Sequence, residues 1–251
     1  MATIEESDNL IDIPFIVTRQ VKEMTSACYS LIESRDMGVI YGEPGVGKTY
    51  TAEQMVDKWK EDGSPKVSYM EADVGSTPAG IANKILRLLA NFRASNSAEA
   101  VRLIEIFTQK QKLDLLILDE AERLNRKSLE MVRSIYDRTK IPIMLIGMPD
   151  ILRHLRSHKK FYSRIGISYH YEPLSHEQLA EYLSQLHPHL EDIDIKLEKE
   201  LLDFIYKRTK GEFRRIIQLV KQAERVRNAN NHPVLSLGVF EAASKFLLDN
   251  L

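Results

Sequence analysis

The sequence predicts an α/β fold: a parallel sheet flanked by helices, followed by a small all-α unit. Three observations predict it. Short apolar, β-branched runs alternate with longer helical patterns through the first two thirds of the 251 residues, as a parallel sheet requires, since each crossover needs a helix-length connection. The run Leu115-Leu116-Ile117-Leu118 shows no polar alternation, which marks a central strand covered on both faces. Beyond Glu172-Pro173-Leu174-Ser175 the strand signals stop and helical patterns continue to the end of the chain.

In order, strands are expected at Gly38 to Tyr41, Val67 to Glu71, Leu115 to Asp119, Ile141 to Gly147 and Gly166 to Tyr171. Between the second and third, the polar stretch Ala94-Ser95-Asn96-Ser97 splits a helix at Pro78 to Phe92 from one at Ala98 to Gln111. Ser175, followed three residues later by Gln178, forms a capping-box pattern and places a helix start just past the composition shift. Helices follow at Leu197 to Arg208, Glu212 to Asn228 and Leu237 to Asp249. The expected organisation is an N-terminal segment over residues 1–21, a core over 22–173 and a helical unit over 174–251.

Composition excludes several classes. Hydrophobic residues make up 43% and charged residues 28%, and 35 Lys+Arg against 36 Asp+Glu leave a formal charge of −1; any polyanion-binding surface must be local. The single cysteine, Cys28, rules out an internal disulfide or a cysteine zinc cluster and fits a reducing compartment; its apolar helical setting reads as packing. The acidic start MATIEESDNLID lacks the order of a secretory signal, and no apolar run approaches the about 20 residues a membrane span needs, so a cytoplasmic protein with no membrane contact is expected. His187-Pro188-His189 has no cysteine or acidic partner in helical register and makes a poor zinc site.

Two motifs carry chemistry. Gly42-Glu43-Pro44-Gly45-Val46-Gly47-Lys48-Thr49 fits the P-loop pattern, and Tyr50 continues into the helix that it opens. The glycines let backbone N–H groups face phosphate oxygens, Lys48 reaches the β and γ phosphates of ATP, and the Thr49 hydroxyl ligates Mg2+. Independently, the strand Leu115 to Leu118 delivers Asp119 and Glu120 at its carboxyl end, where open α/β sheets bind ligands. Asp119 is the second candidate magnesium group, partly through water, and Glu120 the residue that orients attacking water, so ATP hydrolysis is expected in addition to binding.

These residues resemble the AAA+ ATPases and, within them, the DNA-transposition ATPases of the MuB and TnsC group, with IstB more distant. Pro14-Phe15-Ile16-Val17-Thr18-Arg19-Gln20-Val21-Lys22 upstream of the P-loop, Asp119-Glu120-Ala121-Glu122-Arg123-Leu124, Phe161-Tyr162-Ser163-Arg164-Ile165 and the lid-type Gly211-Glu212-Phe213-Arg214 carry the resemblance. It implies a homo-oligomer, ring or helical filament, whose ATP sites lie between subunits. It implies that Arg164 is an arginine finger for a neighbour's γ phosphate; a helix-terminal surface arginine is the plain alternative, and Arg153 and Arg156 are the substitutes. Arg214, or Arg215 one position on, would be the lid arginine, and Phe15, Val17 and Thr18 would wall the adenine, with core packing equally open for Phe15 and Val17. Met148 stands where many relatives place a polar sensor of the attacking water, and a thioether cannot donate a hydrogen bond; slow hydrolysis or a polar contact from elsewhere is expected.

For DNA, Lys84, Arg87, Arg93, Arg102, Lys110 and Lys112 face only Glu99 and Glu105 in their stretch, in the region that lines the DNA channel of ring- or filament-forming relatives. A second basic stretch runs from Lys207 to Arg227 behind an acidic one holding Glu191, Asp192, Asp194, Glu198, Glu200 and Asp203, an arrangement that suits phosphate binding or head-to-tail subunit contact equally. Neither has interleaved aromatics, so sequence-tolerant backbone binding to duplex DNA is expected. The resemblance adds a transposase as partner, and without a MuB-like amino-terminal DNA-reading module target choice would fall to a target-selector protein. The rival expectations are a helicase loader or replication initiator, and a nucleotide-switched interaction protein that never touches DNA.

Overall fold

The computed structural model describes residues 14–186 and 199–247. The chain divides into two compact units, Arg19–Glu172 and a second in which Pro173 onward joins the segment ending at Thr18. His187, His189, Glu191, Asp192, Asp194 and Glu198 lie outside the described residues.

The larger unit is a five-stranded parallel sheet in the order β2-β3-β4-β1-β5, built from β1 (Met37–Tyr41), β2 (Val67–Glu71), β3 (Leu115–Asp119), β4 (Ile143–Gly147) and β5 (Ile165–His170). Side-chain alternation divides its core in two. Val39, Leu116, Leu118 and Leu145 pack under α3 (Pro78–Ala90), α4 (Ser97–Gln111) and α5 (Arg126–Thr139). Ile40, Leu115, Ile117, Met144 and Ile146 pack under α1 (Arg19–Ser34) and α2 (Lys48–Asp62). Both faces of β3 and β4 are therefore buried, which explains their unbroken apolar runs. Cys28 sits inside the α1 face, and burial pushes its thiol up to about 12, so it packs and does not react. Short helices α6 (Asp150–Arg156) and α7 (Lys159–Tyr162) connect β4 to β5.

Side-chain caps set the helix starts. Thr77 Oγ1 accepts from Gly80 N at 3.0 Å ahead of Pro78, and Asn96 and Asn125 cap α4 and α5 in the same way. Among the boundaries that differ from expectation, two have a clear local cause. β4 starts at Ile143 because Pro142 has no N–H to give the ladder, although its carbonyl still accepts from Leu116 N at 3.0 Å. α3 stops at Ala90, where Asn91 turns left-handed at φ 48°.

The smaller unit contains α8 (His176–Leu186), α9 (Lys199–Thr209), α10 (Phe213–Ala229) and α11 (Leu237–Ser244). α8 opens on a reciprocal capping box, Ser175 N to Gln178 Oε1 at 2.8 Å and Gln178 N to Ser175 Oγ at 3.2 Å. Ile16, Leu179, Tyr182, Ile205, Ile216, Leu219 and Phe240 form its core. α11 ends at Ser244 and does not continue through the expected stretch; Asp249 lies outside the described residues. Gly211, at φ 73°, lets the α9–α10 turn press on the Leu174 carbonyl, where a Cβ would lie only 1.9 Å from that oxygen.

Candidate nucleotide site

Parallel strands bring the carboxyl ends of β1, β3 and β4 to one edge of the sheet, and the loop Gly42–Gly47 leaves β1 there to open α2. Gly45 and Gly47 adopt φ 82° and 106°, conformations open to glycine that turn successive N–H groups to one side. Gly42 donates to the Gly147 carbonyl at 3.3 Å, and a Cβ on it would stand 2.2 Å from the Tyr171 carbonyl, so the loop is clamped between β4 and the end of β5. Tyr171 also bonds the Thr51 hydroxyl on α2 at 2.8 Å. Val46 is buried beneath the loop, Thr49 and Tyr50 are half-buried, and Glu43 and Pro44 are exposed.

Lys48, 8% exposed, folds back so that its Nζ donates to the Gly42 and Glu43 carbonyls at 2.7 and 2.9 Å. Burial lowers its pKa, and the nearby charges of Asp119, Glu122, Glu120 and Glu43 oppose the shift. The lysine expected at the phosphates and the carboxylates expected beside it thus share one field.

Asp119 ends β3 with 2% exposure. Its Oδ1 accepts from Glu120 N at 2.7 Å and its Oδ2 from the Tyr69 hydroxyl at 3.0 Å. Each oxygen keeps a second lone pair. Glu120 takes the left-handed conformation, φ 53°, that lifts its side chain off the strand line, and it pairs with Arg123 at 3.3 Å. A non-glycine residue there stores on the order of 1 kcal/mol of strain.

The donor set fits magnesium. Thr49 and Asp119 offer hard oxygen ligands, and the Glu53 carboxyl on α2 is held above its usual range first by burial and then by repulsion from Glu71, Asp119 and Asp57.

At β4 the strand end meets a carboxylate. Met148 is 41% exposed, and its backbone N–H donates to Glu122 Oε2 at 3.2 Å. The carboxylate lies so close to the strand end that a Cβ on Gly147 would meet it at 2.5 Å. Glu122 and Tyr69 are neighbours of the candidate site that the sequence did not single out. Glu122 belongs to the quoted acidic motif, but nothing in the spacing tied it to Met148. Tyr69 sits on β2, whose register Glu71↔Asp119 and Tyr69↔Ile117 emerges only with the sheet.

Arg164 lies at the opposite edge. Its carbonyl accepts from Met37 N at 3.1 Å at the start of β1, five strand residues or about 16 Å from the P-loop. Its guanidinium donates to Asp137 on α5 at 2.9 and 3.4 Å, to the Lys160 carbonyl and to Ser163 Oγ. Arg133 holds the same Asp137 at 2.7 Å. Of the substitutes, Arg153 pairs with Asp150, and Arg156 is exposed.

Val17 is 44% exposed, which removes core packing as its explanation, while Phe15 and Thr18 are half-buried in the segment whose Ile16 joins the helical unit's core. Arg215 pairs with Glu212 at 2.7 Å, leaving Arg214 the exposed arginine at the start of α10. In the basic region Arg87, Arg93, Arg102, Lys110 and Lys112 are exposed, but Lys84 is not free to face a phosphate row beside Arg87, because it pairs with Asp73 at 2.7 Å. The Gln111 amide bonds the Leu89 carbonyl, so Arg87, Lys110 and Lys112 flank one junction of α3 and α4.

A parallel sheet with a glycine-lined phosphate loop, a buried lysine and paired carboxylates at one edge defines a P-loop ATP-binding protein. The AAA domain family matches residues 32–155. A Staphylococcus aureus protein described as a potential ATP-binding protein is 30% identical over 263 residues, which covers 93% of this chain and 96% of the relative. The chain belongs to the AAA family of P-loop ATPases. Among solved structures it is similar to Aeropyrum pernix ORC2 in ADPNP-ADP complexes, with a TM-score of 0.73 and 17% identity over 96% of this chain and 70% of that one. It is also similar to Aeropyrum pernix ORC1 in complex with DNA, with a TM-score of 0.70 and 16% identity over 92% and 66%. At such identities the likeness speaks for the fold. Among the described residues no helix is long and apolar enough to cross a membrane.

Proposed function

We propose that the protein is an ATP-hydrolysing switch that assembles with copies of itself on duplex DNA and, once assembled, presents that DNA to a transposase. The observation that carries the reading is the separation of Lys48, Asp119 and Glu120 at one edge of the sheet from Arg164 at the other, which leaves Arg164 able to complete only another subunit's site. The exposed basic junction of α3 and α4 supports the DNA surface, and the likeness to a solved ORC1 complex with DNA agrees with it. The transposase rests on the resemblance of the Asp119–Leu124, Phe161–Ile165 and upstream segments to the transposition ATPases.

In this mechanism Lys48 exchanges its two loop carbonyls for the β and γ phosphates of ATP. Thr49 and Asp119 would hold magnesium, partly through water, and the ion would supply charge neutralisation at those phosphates. Glu120, released from Arg123, orients water for in-line attack on the γ phosphorus; the bond to the bridging oxygen breaks and ADP and phosphate result. Arg164 of a neighbour leaves Asp137 for the γ phosphate, so only the triphosphate secures the subunit contact and hydrolysis loosens the assembly.

A mobility-shift series with ATP, a non-hydrolysable analogue and ADP, repeated across salt concentrations and paired with mass measurement, tests the reading. Triphosphate-dependent oligomers on duplex DNA are expected, and Lys48→Ala should form none. Absence of DNA binding at low salt with every nucleotide overturns it in favour of a nucleotide-switched interaction protein. The second reading, helicase loader or replication initiator, draws on the fold shared with the ORC proteins; capture of a replicative helicase and not a transposase would favour it.

A further inference from the structure

We infer that the helical unit carries a second binding site for the sugar-phosphate backbone of duplex DNA, a groove formed by the exposed face of α10 and the end of α9. The inference deepens the DNA-binding reading and rests on it.

The groove is an open cavity of about 660 Å³ lined by seven cations and one carboxylate, Glu212. In a chain with a formal charge of −1, that is a strong local concentration of one sign. Glu212 is spent on Arg215 at 2.7 Å. Lys207, Lys210, Arg214, Lys221 and Arg225 have no ion-pair partner among the described residues. Like charges crowded without compensation cost stability, and a polyanion is the ligand that removes the cost.

Spacing selects the kind of polyanion. Arg214, Gln218, Lys221 and Arg225 stand at i, i+4, i+7 and i+11, one face of α10. The stripe runs about 16 Å at 1.5 Å per residue, and that length of duplex axis passes about five phosphates of one strand. Lys207 at the end of α9 and Lys210 just past it line the same groove. The apolar lining is confined to buried Leu219 and, at one end, Leu247 and the 71% exposed Phe246. A protein partner would need an apolar pocket for an anchoring side chain; a phosphate row needs only the cations. The groove therefore reads charge and not sequence.

The test uses the full chain with a non-hydrolysable ATP analogue and a random-sequence duplex, reading affinity by fluorescence anisotropy between 50 and 200 mM salt. Lys221→Ala combined with Arg225→Ala avoids Arg214 and should lower the slope of log affinity against log salt by about two, so that the ratio of wild-type to variant affinity shrinks about tenfold across the series. Gln218→Lys, which adds a cation to the stripe, should raise the slope by about one, a gain that misfolding cannot mimic. Unchanged slopes in both variants, with the wild type binding normally, overturn this site alone and leave the groove to an acidic protein partner. A wild type that binds no DNA with any nucleotide overturns the functional reading and this inference together.

Discussion

At the scale of single residues, the site depends on side chains that touch no phosphate. Tyr69 donates to Asp119 Oδ2 at 3.0 Å, and if Asp119 holds magnesium as proposed, such a hydrogen-bonded support typically governs affinity by about 10- to 100-fold. Tyr69→Phe is accordingly expected to raise the magnesium concentration needed for tight ATP binding about tenfold or more, measured by nucleotide fluorescence without turnover, while thermal stability falls only slightly. Glu120→Gln keeps the size and the backbone turn but loses the base. ATP binding should persist and turnover fall on the order of 10² to 10⁴, the usual contribution of a general base; unchanged turnover would take Glu120 out of the mechanism. The phosphate loop and the Asp119-Glu120 pair were legible in the sequence because their chemistry dictates local spacing. Tyr69 and Glu122 were not, because each acts across strands and the register that joins them is a property of the folded sheet.

At the scale of elements, α5 and the start of β5 form a clasp. Arg133 and Arg164 both hold Asp137, and the Arg164 hydrogen bond, more than any other cause, keeps that carboxyl below its usual range. A depressed folded-state value means the contribution is complete above the unfolded pKa of about 3.9 and is lost as pH falls through the lower folded value. With both side chains near one-third exposed or less, the effect should stay within about 1 kcal/mol. Denaturant titrations of wild type and Asp137→Asn should therefore differ at pH 6 and converge as pH falls through the lowered folded value; a constant offset would show that the ion pair is not the source. The sheet and α8 were legible because periodicity and a capping box are local signals. The early stop of α3 and the pairing of Lys84 with Asp73 were not, because one is decided by the left-handed turn at Asn91 and the other by a side chain from another element; the late start of β4 follows from Pro142 and could have been read from the sequence.

At the scale of the whole molecule, the chain separates a sheet unit that holds the phosphate loop from a helical unit with its own core, and each was visible as a shift from alternating to purely helical pattern. That the segment before α1 contributes Ile16 to the helical core was not, since nothing local in Pro14-Phe15-Ile16 names its destination. Mixing provides the decisive prediction for a shared site. Arg164→Ala should lower turnover on the order of 10³ or more while leaving nucleotide affinity of dilute monomer intact. Combining it with Glu120→Gln, itself slow, should restore part of the activity, because one variant supplies the arginine and the other the base. No recovery in a co-assembled mixture would return the chemistry to a single chain.

The placement of Arg164 at the far end of β1 has a quantitative sequel. If Arg164 completes a neighbour's site as proposed, a solitary copy holds an unfinished engine, and output per molecule should climb with abundance and collapse on dilution. On that proposal, low abundance alone would keep the protein dormant, and a local crowd would be enough to wake it.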